Sequence, residues 1–96
     1  METILKSFLD IEGRLKAFPA KRKMKVYALI FLAGKLEKGT EYSEKEINEA
    51  LRMHHTFNDP ATLRREMCDY GFLKRTPDGR VYRLSETQPT LEELGF

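Results

Sequence analysis

The spacing of apolar residues changes along this chain, and each change predicts a different element. Ile4, Leu5, Phe8, Leu9 and Ile11 recur at helical intervals, which predicts a short helix over residues 2–10 that Gly13 ends. Arg14-Leu15-Lys16-Ala17-Phe18 alternates ahead of Pro19, the pattern of a short extended segment. Over residues 21–37, Met24, Tyr27, Ala28 and Phe31 form one apolar stripe. Val26, Leu29, Ile30, Ala33 and Leu36 form a second. Together they nearly encircle the helix, which predicts that it is the central and most buried one.

Residues 39–42 read as a connector. Ser43 with Glu46 three residues later is a capping box, and Tyr42 and Ile47 occupy the positions of a hydrophobic staple. These signals predict a helix over 44–53 with Ile47, Ala50 and Leu51 facing inward. After a turn at 54–58, Asp59 is an N-cap and Pro60 takes the first helical position, where a missing N–H is harmless. Leu63, Met67 and Tyr70 then give one apolar face to a helix over 60–70. Gly71 suits the left-handed stop, and Phe72 beyond it can pack back.

Residues 72–84 read as strand, turn and strand. Thr76-Pro77-Asp78-Gly79 is a type I turn with glycine in the left-handed bulge position. Leu73 and Arg75 alternate with Phe72 and Lys74, and Tyr82 and Leu84 alternate with Val81 and Arg83, so one face can be apolar and the other basic. A helix running straight into such a ribbon is the back half of a winged helix-turn-helix. The expected fold is therefore α+β and mostly α: three core helices with a C-terminal β-hairpin wing. It is read as one domain over 1–96, with its core at about 8–84 and a tail at 85–96. The tail is polar up to Thr90 and then amphipathic at Leu91, Leu94 and Phe96. It can form a last turn of helix or dock on a partner subunit.

Composition narrows the functional classes. Ninety-six residues allow one small core. Seventeen basic residues against fifteen acidic leave a net charge of only +2, so a case for nucleic acid rests on where the charge sits. The single cysteine, Cys68, excludes an internal disulfide and a multi-cysteine zinc site, and fits a reducing cytoplasm. No secretory leader is read in the first ten residues. The apolar run at 26–33 is far below the roughly 20 residues that span a bilayer, so no membrane partner is expected.

In the winged-helix frame, Arg64 and Arg65, with Thr62, are expected to face the groove of double-stranded DNA. Lys74, Arg75, Arg80 and Arg83 are expected to hold phosphates. Lys21, Arg22 and Lys23 at the start of the first long helix are secondary phosphate candidates, because helix N-terminal amides favour anions. The alternative is that these are solvated charges. Glu66, Asp69 and Asp78 stand near the arginines and can pair them, which is the pattern of a protein-interaction module with no nucleic acid.

His54-His55 with Asp59 and Cys68 has no recognised metal-ligand spacing, and a turn histidine pair is the better account. Cys68 is either a redox-sensitive thiolate near arginines or a semi-buried helix residue. No nucleophile elbow, glycine-rich phosphate loop or zinc-protease motif occurs. No enzyme, catalytic residue, metal or cofactor is therefore nominated. A single domain this small buries little surface on DNA, so a homodimer on two half-sites, or a partner regulator protein, is expected.

Three blocks carry a family resemblance: residues 13–23, residues 42–48 and residues 61–73. They resemble a prokaryotic domain family of unknown function that occurs alone or attached to winged-helix transcriptional regulators of the ArsR type. The family's aromatic-Arg ending corresponds to Tyr82-Arg83. The chain departs from the pattern at the 54–58 turn and at Met67-Cys68, where aliphatic residues are usual. The resemblance implies a regulator-like winged helix and no particular ligand.

Overall fold

Helices two and three of the core form where their capping signals stand. A computed structural model describes residues 3–96, in the order α1 (Arg22–Ala33), α2 (Glu44–Arg52), α3 (Pro60–Asp69), β1 (Leu73–Arg75) and β2 (Tyr82–Leu84). Three helices followed by an antiparallel hairpin make the expected α+β arrangement with a C-terminal wing. α1 is the central helix: Val26, Ala28, Leu29, Phe31, Leu32 and Ala33 are all buried. It ends four residues before the expected boundary at residue 37, because the amides of Lys35 and Leu36 bond the carbonyls three residues back and tighten the chain into turns.

The capping box of α2 is complete. The Ser43 hydroxyl accepts from the Glu46 amide at 3.1 Å, and the Glu46 carboxylate accepts from the Ser43 amide at 2.8 Å. α3 starts on Asp59, whose carboxylate accepts from the Thr62 amide at 3.2 Å, with Pro60 next. It ends on Gly71, at φ 87°, and the Phe72 amide reaches back to the Met67 carbonyl at 2.8 Å. That bond closes a Schellman turn and drops the Phe72 ring, 1% exposed, into the core between α3 and the wing.

The wing pairs Leu73 with Leu84, Lys74 with Arg83 and Arg75 with Tyr82. Leu73, Leu84 and Tyr82 face the core, and Lys74 and Arg83 face solvent, as the alternation predicts. Residue 42 is more than a connector. Tyr42 and Tyr82 exchange both backbone hydrogen bonds at 2.7 Å, so Tyr42 is a one-residue third strand beside β2. This clip ties the start of α2 to the wing.

The N-terminal expectation needs correction. Met1 and Glu2 lie outside the described residues, and of the helix expected over 2–10 only a single 3-10 turn at Lys6–Phe8 forms. The Asp10 carboxylate captures the amides of Glu12 and Arg14, which competes with helix, and the chain turns back so that Leu9 bridges Leu15. Leu15 in turn bridges His55, through bonds of 2.9 Å to His54 and Thr56. The extended reading of residues 14–18 thus holds at Leu15, which is fully buried.

The tail folds onto its own domain. Thr90 and Glu93 cap a short turn, Gln88 donates to the carbonyls of Phe72 and Ser85, and Leu91 and Leu94 pack against the core. Arg22 donates to the Leu94 carbonyl at 3.2 Å, and its guanidinium lies 4.8 Å from the Phe96 ring centre.

The turns and caps make stability acid-sensitive. Hydrogen bonding to Thr62 lowers the Asp59 carboxyl below its ordinary value, the Ser43 amide does so for Glu46, the Arg14 amide for Asp10 and the Thr76 hydroxyl for Asp78. Burial lowers the His54 imidazole from its ordinary 6.5. All five groups have folded values below their unfolded ones. Their contribution is complete above the unfolded value and is lost as pH falls through the folded one. Melting temperature is expected to be flat above about pH 6.5, to ease down as His54 is forced to protonate, and to fall steeply below about pH 4. Thermal melts from pH 3 to 8 check this. His54→Gln should erase only the upper limb, and a melting temperature that rises on acidification would contradict it.

Candidate nucleic-acid interface

Leu63 and Met67 of α3 are fully buried, so residues 61, 65 and 69 on the opposite side face solvent. That side floors a cleft of about 330 Å³, walled by Glu44 at the start of α2 and by Arg75 and Tyr82 of the wing. Arg64, Arg65 and Arg75 all line it. The sequence brings them together because α3 stops at Gly71 and the chain needs only Phe72 to enter the ribbon.

The three arginines have different environments. The Arg64 side chain is only 18% exposed. It donates to the Asn48 side-chain oxygen, lies 3.6 Å from the Glu44 carboxylate and stacks 5.5 Å from the Tyr82 ring centre. It joins α2, α3 and the wing, which is a different task from the groove contact expected of it. Arg65 and Arg75 are exposed, and neither has a carboxylate at ion-pair distance among the described residues. Arg75 lies on the inner face of the hairpin, where that face passes from the core into the cleft.

The acids that could cancel these charges divide in the same way. Glu66 turns to α1 and pairs with Lys25 at 3.4 Å, away from the cleft. Asp69 stays in the cleft with Arg65. On the outer face of the wing Lys74 and Arg83 stand directly opposite each other, and Glu41 lines the same groove as both and as Arg75. Arg80 approaches Asp78 at 3.9 Å, and both are well exposed, so the pair adds little. Thr62 is half-buried, with its amide committed to the Asp59 cap. Lys21, Arg22 and Lys23 are exposed at the start of α1 and none lines the cleft; Arg22 is held by the tail.

Cys68 is half-buried in the cleft, and burial pushes its thiol up despite the nearby Arg75 and Arg64, which works against a thiolate sensor. His55 is 4% exposed, and both ring nitrogens are occupied: Nδ1–H donates to the Leu51 carbonyl at 2.7 Å, and Nε2 accepts from the Asp59 amide at 3.0 Å. It is a pin between α2 and α3. Sequence reasoning did not identify Glu44, Asn48 and Tyr82 as parts of the site. Glu44 and Asn48 are four apart and share a face of α2, which was visible, but nothing local said which element that face would meet.

Among the described residues, no helix is long and apolar enough to cross a membrane. A family model described as an uncharacterized protein conserved in bacteria (DUF2087) matches residues 14–84. No curated protein and no solved structure matches the chain.

Proposed function

Because the chain belongs to DUF2087, a family of uncharacterized proteins conserved in bacteria, we propose its function from geometry: a non-enzymatic, transcriptional-regulator-like winged helix that binds double-stranded DNA. The observation that carries this is the set of cations with no carboxylate at ion-pair distance among the described residues. Arg65 on α3 and Arg75 on the wing open into one cleft, and Lys74 projects from the same ribbon. Lys74 also faces Arg83 across the hairpin, where Glu41 is the one acid among the described residues lining the same groove, so the ribbon keeps a surplus of positive charge. A helix face beside a basic ribbon is the docking surface of winged-helix DNA binders.

The test is fluorescence anisotropy with random-sequence duplex DNA at low and moderate salt. The wild type is compared with an Arg65→Ala/Arg75→Ala double variant. Arg64 stays in place, because removing it disturbs the fold as well as the charge. Binding is expected to weaken steeply with salt, and the double variant should shorten the log–log salt slope by about 2. Absence of binding at low salt by folded wild type would sink the proposal.

A second reading is favoured by the internal pairs Arg64–Glu44 and Lys25–Glu66: a protein-interaction winged helix without nucleic acid. In that reading the tail residues Leu91, Leu94 and Phe96 belong to the contact; Leu91 and Leu94 are partly packed on the domain itself and Phe96 is exposed. A homodimer on two half-sites, or pairing with a regulator protein, belongs to the DNA proposal, and the stoichiometry on DNA of one and two helical turns reports it.

A further inference from the structure

We infer that the α3–wing cleft grips the phosphodiester backbone of the duplex, and that it discriminates little between base sequences. This rests on the DNA-binding reading and specifies how that site would work. Direct readout needs side chains on the recognition helix that can reach base edges with paired donors and acceptors. Arg64, the side chain in α3 best suited to a guanine edge beside Arg65, lines the cleft but is held there by Asn48 and Glu44 of α2 and Tyr82 of the wing. The rest of the outward face is poor in readers. Ala61 has no polar group, and Thr62 and Cys68 are half-buried. Arg65 is left as the one long donor on the exposed side.

The charge geometry suits a strand of phosphates. Arg65 and Arg75 converge on the cleft from two elements, and Lys74 and Arg83 continue the positive charge onto the outer face of the ribbon. Asp69 sits at the C-terminal end of α3 and repels phosphate there, so the strand runs past Ala61 and Arg65, toward the N-terminal half of the helix. Glu44 lies nearest Arg64, and Glu41 shares the outer groove with Lys74, Arg75 and Arg83, but neither comes within ion-pair distance of Arg65 or Arg75 among the described residues. Contacts of this kind position a protein on DNA but carry no sequence information.

The experiment measures affinity by anisotropy for several duplexes of equal length and unrelated sequence. A further duplex carries a run of neutral methylphosphonate linkages in an unchanged sequence. The unmodified duplexes are expected to bind within about threefold of one another, with a log–log salt slope of about −3 to −4 for four phosphate contacts. Arg65→Ala and Arg75→Ala should each shorten that slope by about 1, equally on every sequence. The neutral-backbone duplex should lose most of its binding. One duplex bound more than about thirtyfold tighter, with the Arg65→Ala loss confined to it, would overturn the inference while keeping the DNA reading. No binding to any duplex at low salt, with circular dichroism showing folded protein, would remove both.

Discussion

Replacing His55 by alanine is expected to destabilise the domain by about 2–4 kcal/mol, since a buried hydrogen bond contributes about 1 kcal/mol and each abandoned buried partner costs about 1–3 kcal/mol. The ring closes the α2–α3 turn from both sides. Its Nδ1–H satisfies the Leu51 carbonyl at the end of α2, and its Nε2 satisfies the Asp59 amide at the start of α3. These partners assign the neutral Nδ1–H tautomer: a carbonyl can only accept, and an amide can only donate. The ring also packs against Phe57, with centroids 4.6 Å apart, and sits beneath the Leu15 bridge that anchors the N-terminal segment. Alanine leaves a carbonyl and an amide stranded at one corner. Urea unfolding followed by circular dichroism measures the loss, with an unchanged m-value showing that stability alone moved. His55→Asn keeps a donor near the Nδ1 position and loses the Nε2 acceptor, so it should fall between wild type and alanine. A cost below about 0.5 kcal/mol for His55→Ala would mean that surrounding groups or water replace both bonds.

Arg64→Ala is the second large effect, expected at about 1.5–3 kcal/mol, from a charge-assisted hydrogen bond and a partly desolvated cation–π contact. The Asn48 bond and the Tyr82 stack carry most of this. Glu44 is 58% exposed at 3.6 Å, so its ion pair contributes little. Arg64→Lys keeps the charge but loses the planar fork and the stack, so it should recover less than half of the stability. The two tasks considered for this residue predict opposite patterns. If Arg64 joins elements, the variant unfolds earlier in urea. If it reads a groove, unfolding is unchanged while DNA affinity collapses at conditions where both proteins are folded. That second pattern would refute the structural role.

Much of the fold was legible because it rests on local signals. The Ser43–Glu46 box, the Asp59-Pro60 start and the Gly71 stop each act within a few residues, and each helix boundary they mark is observed within one or two residues. The alternation of Leu73, Lys74 and Arg75 against Tyr82, Arg83 and Leu84 set which wing face is buried, since a slip of either strand by one residue would turn Lys74 or Arg83 into the core. The N-terminal stretch misled for a related reason. Its apolar spacing is helical, but the Asp10 side chain and the pull of the Leu15 bridge outweigh a short helix with few internal bonds.

By itself, the sequence determined the three helices, their order, the hairpin and the basic character of the wing, because caps, glycine conformations and hydrophobic periods are properties of neighbouring residues. Only the tertiary structure decided what each charge does. Arg64 meets Asn48 across 16 residues and Arg22 meets Leu94 across 72, and no local pattern records either meeting. The same holds for the Tyr42–Tyr82 clip, the His55 pin and the turning of Glu66 toward Lys25. A charged side chain is long enough to serve any of several partners. Packing of the apolar faces brings one partner within reach, and so leaves Arg65 and Arg75 open in the cleft while Arg64 is spent within the fold.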